Sequence, residues 1–206
     1  MAGEQGNGDY SNSILQDRLQ EFGLYEVNVT RDGNCFFHAM AFNLAGLMSA
    51  HDSVDLKSRL ADIGIVPTMT KQEMADHLRR LMVKEWRERH HEYDHFLPEN
   101  VNYAAEVLKF ERLGFFTSPL GDLMPEAMSN VLGMSLRIVS SNPNTPVLYV
   151  GQSADNSSPV LITLAYNAFG PGHYNAATSK PPSLHQIQQE HTDNMEHAGT
   201  VCGCSS

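Results

Sequence analysis

The chain has 206 residues, enough for one domain with a sizeable core plus tails, and its formal net charge of -10 argues against nucleic acid or an anionic membrane as partner. That charge suits a basic partner, although an acidic surface also simply keeps a protein in solution. Three cysteines, two of them Cys202 and Cys204 at the far end, cannot staple the domain, and no stretch approaches the ~20 apolar residues of a membrane span. With no apolar N-terminal run to suggest secretion, the expected setting is cytoplasmic and reducing, without cofactor.

Residues 1–12 are rich in Gly, Asn, Ser and acidic side chains and read as a disordered tail. Leu15, Leu19 and Phe22 then recur at helical spacing, and Gly23 is placed to end that helix as its C′ residue. Tyr25, Val27 and Val29 alternate with polar residues, so residues 25–29 read as a half-buried strand. Asp32, Gly33 and Asn34 are turn residues, and from Phe36 the pattern becomes helical, with Phe36, Met40, Leu44 and Leu47 on one stripe and Phe37, Ala41 and Met48 widening it. Cys35 therefore falls in the first turn of a mostly buried helix.

Unpaired N–H groups and the positive end of the helix dipole favour a thiolate at such a position. The same turn aims the backbone N–H groups of Gly33, Asn34 and Cys35 toward one point, the geometry of an oxyanion hole. An isolated D-G-N-C is nonetheless more often a buried structural cysteine, so a catalytic reading needs a partner base.

After the cysteine helix, Asp52 or Ser53 can cap a short helix through Leu60 and Ile63, stopped by Gly64. Thr70-Lys71-Gln72-Glu73 is a capping box, and Met74, Leu78, Leu81 and Met82 form the buried stripe of the helix it starts, which should continue past Trp86. His91 and His95 stand at i,i+4 beyond it, a spacing that metal sites use, but H-E-x-x-H is absent and the run reads as a solvated helix end closed by Pro98. Helices over 102–113 and 123–132, ended by Gly114 and Gly133, complete the helical part. Strands are expected over 134–140, 147–150, 160–166 and 173–177, which makes the class α+β, with 25–29 beside the sheet. From Thr178 the chain is rich in Pro, Gln and His and reads as a flexible tail over 179–206. His191, His197, Cys202 and Cys204 in it match no closed zinc motif, and no metal is expected. The sequons at Asn28 and Asn156 read as coincidence without a secretory signal.

The partner base lies in Gly170-Pro171-Gly172-His173-Tyr174-Asn175-Ala176, where a Gly/Pro turn returns the chain into a strand. Residues two apart on a strand share a face, so His173 and Asn175 can touch while Tyr174 turns away. An imidazole steadied by an amide oxygen is an oriented base, although H-Y-N alone equally describes a surface hairpin.

Together, D-G-N-C-F-F-H-A (32–39) and G-H-Y-N-A (172–176) resemble the cysteine and histidine motifs of the ovarian-tumour (OTU) family of papain-like cysteine proteases. Leu78-Arg79, Gly114-Phe115-Phe116, Gly121-Asp122 and residues 136–139 extend the likeness over roughly residues 20–178, within a domain taken as 13–178. Phe36 stands where many relatives have Leu, and Phe116-Thr117 where many have an aromatic-Gly pair, departures that bear on substrate loops rather than on chemistry.

The resemblance implies a papain-like OTU fold, helices on a small central sheet with the nucleophile at a helix N-terminus, and a monomer that cleaves ubiquitin or polyubiquitin chains from ubiquitinated proteins. It implies Cys35 as nucleophile, His173 as base, Asn175 as the residue that orients it, and Gly33, Asn34 and Cys35 as backbone oxyanion donors. Asp32 either shapes the turn or an acidic side chain from elsewhere shares the orienting role with Asn175. His38, one helical turn past Cys35, is a rival base whose alternative is to pack behind the site on backbone. The turns before Cys35 and His173, with a loop over 115–121, should line a narrow channel for a Gly-Gly end. The same chemistry on a ubiquitin-like modifier, and a binding module without turnover, remain the alternatives.

Overall fold

In the computed structural model, which describes residues 3–50, 54–151 and 160–181, the alternating segments pair into one sheet. Its strands are β1 (Tyr25–Val27), β2 (Ser135–Ser140), β3 (Val147–Val150), β4 (Leu161–Asn167) and β5 (His173–Thr178), in the order β1-β5-β4-β2-β3. Strands β2 and β4 run parallel, and the other neighbours are antiparallel. The early strand thus sits at the sheet edge, directly beside the strand that carries His173.

Period-two alternation gives this sheet two buried faces. Leu136, Ile138, Ile162, Leu164 and Ala176 join the main core with α2 (Cys35–Ala50), α3 (Val54–Asp62), α4 (Lys71–Glu88), α5 (Tyr103–Phe110) and α6 (Met124–Leu132). Val139, Ala165 and Ala177 face the other way, where Leu15 and Leu19 of α1 (Gly3–Glu21) cover them. The structure is α+β, as the order of elements implies.

The capping box opens α4 as the sequence reads, with Glu73 N–H donating to Thr70 Oγ1 at 3.2 Å and Thr70 N–H to Glu73 Oε2 at 2.8 Å. Three expectations need correction. Helix α1 begins at Gly3, so most of the segment read as a disordered tail is helical, and Ser11 explains its anchorage by bonding Ser141 Oγ and Asn167 Oδ1 at 2.8 Å each. Helix α5 stops at Phe110 rather than Leu113, because its terminal carbonyl and two beyond it are drawn to a buried arginine described below. Helix α4 stops at Glu88 and gives way to two 3-10 turns, His90–Glu92 and Asp94–Phe96, so His91 and His95 share no α-helical face. Asp52, Ser53, Asn156, His191, His197, Cys202 and Cys204 lie outside the described residues. Among the described residues no helix is long and apolar enough to cross a membrane.

Candidate active site

The histidine side of the site is built on the sheet. The β4–β5 hairpin pairs Asn167 with His173 and Ala165 with Asn175, and turns through Gly170 and Gly172, whose φ values are 66° and 79°. Tyr174 faces the core and meets Phe36 edge-on, with ring centroids 5.1 Å apart, while His173 and Asn175 share the opposite face. His173 Nε2 lies 2.9 Å from Asn175 Oδ1.

The Asn175 amide has one orientation only. Its Nδ2 donates to Glu26 Oε1 at 2.6 Å and to Asn28 Oδ1 at 3.2 Å, so both amide hydrogens are committed to the β1 edge. Its Oδ1, which also accepts from Val29 N–H at 3.0 Å, can only accept from the imidazole. Nε2 must then carry the proton in the neutral ring, which leaves Nδ1 as the basic nitrogen. Glu26 is tied from behind by Gln16 of α1. An acidic side chain, Glu26 of β1, thus stands behind Asn175 and holds its amide.

The cysteine side is built on a turn. Asp32 Oδ1 accepts from Asn34 N–H at 2.8 Å, and Oδ2 lies 3.1 Å from both Asn34 Nδ2 and His38 Nε2. Burial alone raises the Asp32 carboxyl, but the bonds from His38 and Asn34 outweigh it and hold the group well below the ordinary carboxylate range. Asp32 thus shapes the turn, and its bonds run to His38 and Asn34 rather than to the candidate base. His38 is held by that carboxylate and not by backbone, which commits its ring nitrogen away from the base role. Asn34 N–H, one of the three expected oxyanion donors, is taken by Asp32, so the candidates reduce to Gly33 and Cys35.

A second glycine locks this turn from outside. Gly33 has φ 78°, and a Cβ there would sit 1.9 Å from the carbonyl oxygen of Gly114. Gly114 N–H in turn donates to Asn34 Oδ1 at 3.1 Å. The turn and the loop after α5 therefore touch backbone to backbone.

Beneath them lies Arg79, only 3% exposed. Its Nη2 donates to Gly33 O at 3.1 Å and Asn34 Oδ1 at 2.7 Å, and its Nη1 to Phe110 O, Arg112 O and Phe115 O at 3.1, 3.2 and 2.9 Å. The guanidinium stacks on the Phe37 ring at 4.4 Å. In the sequence Arg79 stands out only in the Leu78-Arg79 pair that extends the OTU likeness. The available signal was its place in an apolar row, since Ala75, Arg79 and Val83 are all buried at i,i+4 spacing.

The cysteine side reaches β5 at the sulfur. Cys35 is 2% exposed, and its thiol faces the backbone N–H groups of Tyr174 and Phe36. Tyr174 stands between His173 and Asn175 in the chain, so the sulfur leading α2 lies against the stretch of β5 that carries both. Burial pushes the Cys35 thiol above its ordinary value, and the two N–H groups oppose that shift without overcoming it. This corrects the sequence expectation of a lowered thiol pKa, because desolvation outweighs the helix terminus. Burial also pushes His173 down, to about 4, helped by the positive charge of Arg31 and opposed by Asn175 and the Val29 carbonyl. At neutral pH the resting site holds a thiol and a neutral imidazole.

No family model matches the sequence, and no curated protein matches it. Solved structures do. The OTU domain of OTUD1 is similar with a TM-score of 0.56 and 15% identity, over 82% of this chain and 94% of that one. A ceOTUB1–ubiquitin aldehyde–UBC13~Ub complex aligns with a TM-score of 0.56 and 18% identity, over 82% and 86% of the two chains. An h/ceOTUB1–ubiquitin aldehyde–UBCH5B~Ub complex gives 0.57 and 17%, over 82% of each. The chain has the OTU fold. At these identities the likeness reaches the backbone and not the side chains, so the chemistry rests on this chain's own residues. Within the fold, the cysteine helix and the histidine strand come from opposite ends of the chain and are brought together by the pairing of β1 with β5.

Proposed function

We propose that the chain is a cysteine-dependent deubiquitinase, hydrolysing the peptide or isopeptide bond after the C-terminal glycine of ubiquitin through a thioester. The observation that carries this reading is the sulfur of Cys35 set against the N–H of Tyr174, which stands in the chain between His173 and an Asn175 whose amide can only accept from that histidine. A buried structural cysteine has no use for a base oriented in this way. The ubiquitin aldehyde held by solved proteins of the same fold supports the choice of substrate, as does the net charge of -10, which suits the arginines of the ubiquitin tail.

Because the pair rests uncharged, His173 Nδ1 takes the thiol proton as Cys35 attacks the glycine carbonyl, acting as a general base. The Gly33 and Cys35 N–H groups receive the developing oxyanion; one such donor is worth ~10²–10³ in rate. The imidazolium, steadied by Asn175 and by Glu26 behind it, then gives its proton to the leaving lysine amine. Water attacks the thioester with the same nitrogen as base, and ubiquitin leaves with its carboxylate restored.

The test is labelling with ubiquitin carrying a thiol-reactive group in place of its C-terminal carboxylate, run beside the same reagent on ubiquitin-like modifiers. Wild-type protein should form a covalent adduct and Cys35→Ser none, with equal thermal midpoints. An adduct only with a ubiquitin-like modifier moves the substrate to that tag. Reversible capture of ubiquitin without an adduct or turnover would make the chain a binding module.

A further inference from the structure

We propose that Arg79 is a positioning residue for the reaction, holding the oxyanion turn in register and linking it to the loop after α5. The inference rests on the deubiquitinase reading and deepens it. The Gly33–Asn34 peptide is gripped at both polar ends, its carbonyl by Arg79 Nη2 at 3.1 Å and its N–H by Asp32 Oδ1 at 2.8 Å. A peptide unit is planar, so fixing both ends fixes its rotation, and this unit is the link between the two that carry the Gly33 and Cys35 N–H groups. These are the two donors left for the oxyanion.

The other amino group of the same guanidinium holds three carbonyls, at Phe110, Arg112 and Phe115, on the segment leading into 115–121. By the OTU resemblance that loop lines the channel for the substrate's Gly-Gly end. A substrate that shifts the loop must therefore pull on the same planar group that sets the oxyanion turn. Asn34 Oδ1, shared between Arg79 Nη2 and Gly114 N–H, is a second link between the two segments. The rigid fork of a guanidinium spans all of these acceptors at once, whereas an ammonium is a point donor and cannot.

Arg79→Lys and Arg79→Gln separate this role from a merely structural one when three measurements are made on each full-length protein. Turnover of ubiquitin bearing a C-terminal fluorogenic amide should fall ~10²-fold in kcat with KM changed by less than about 3-fold, as for a lost oxyanion donor. Affinity for ubiquitin aldehyde, whose adduct needs the same donors, should fall in step. Alkylation of Cys35 by chloroacetamide, which develops no oxyanion, should change by less than about 3-fold. If either variant does not fold, Asn34→Leu, which removes the acceptor shared by Arg79 and Gly114, should show the same split. Arg79→Lys matching wild type, or alkylation falling in parallel with turnover, overturns the inference. A wild-type protein inert toward both ubiquitin reagents overturns the deubiquitinase reading and takes the role of Arg79 with it.

Discussion

The two halves of the site are built by different means. His173 and Asn175 stand on a strand with paired neighbours on both sides, and their relation follows from the two-residue repeat of a β-strand. Cys35 follows a turn with no ladder to hold it, and its geometry depends on Asp32, Asn34, Arg79 and Gly114, drawn from three distant parts of the chain. The proposed base is thus held by a regular element, while the proposed nucleophile and its donors are held by a side-chain network. Damage on the histidine side should be local and chemical; damage on the cysteine side should spread.

The largest effect should come from the base itself. His173→Ala is expected to lower kcat/KM on a ubiquitin C-terminal amide by ~10²–10⁴. Asn175→Ala should cost less, and Glu26→Ala less again, since each acts one step further from the ring. A steady-state series on the three variants reads this order, and a larger loss at Glu26 than at Asn175 would break the proposed chain of support.

A pair of glycines sharpens the contrast between the halves. Gly33 and Gly172 have nearly the same φ, 78° and 79°, so an alanine at either position bears a similar left-handed strain of ~1–2 kcal/mol. The new methyl group meets different neighbours, however. At Gly33 it strikes the Gly114 carbonyl at 1.9 Å, and at Gly172 the tip of the Tyr166 side chain, with the hydroxyl at 2.3 Å. Backbone cannot step aside and a phenol can, so Gly33→Ala should lower the thermal midpoint and activity more than Gly172→Ala. Adding Tyr166→Phe should recover part of the loss at Gly172, and calorimetry on the three proteins would decide it.

Proton uptake distinguishes the halves more gently. His173 is held neutral when folded, with its pKa lowered to about 4, but titrates near 6.5 when unfolded. The unfolded chain therefore binds more protons between these values, and stability should fall as the pH drops from about 6.5 to about 4. His173→Gln should flatten that part of a plot of thermal midpoint against pH. On the cysteine side, burial raises the thiol above 9.0, so alkylation of the free protein at pH 7 should be slower than that of an exposed cysteine and should climb beyond pH 9.

The smallest effect lies away from both halves. Thr70→Ala removes the capping box of α4 and should cost ~1 kcal/mol of stability, with kcat unchanged. A loss of activity there would mean that the register of α4, and with it Arg79, is more sensitive than its core packing suggests.

Legibility in the sequence follows the same division. Cys35 at a helix start, the His173–Asn175 face, the capping box and the glycine stops at Gly23 and Gly133 all follow from spacing along one element, and the structure holds them. Misreadings occur where a distant group competes for a local one. Asn34 N–H looked free until Asp32 took it, α5 looked longer until Arg79 drew its last carbonyls, and the thiol looked acidic until burial was counted. The segment before Ser13 looked too polar to order, yet Ser11 and Asn12 bond across to the end of β4.

By itself the sequence determined which residues are candidates for the chemistry and which elements present them, because periodicity, caps and turn residues act within a few positions of one another. Only the tertiary structure decided how those residues are charged and steered: the buried thiol and neutral imidazole, the acid behind Asn175, and the arginine under the turn. Desolvation and the filling of hydrogen-bond sites depend on what the rest of the chain brings alongside, and no local pattern encodes that.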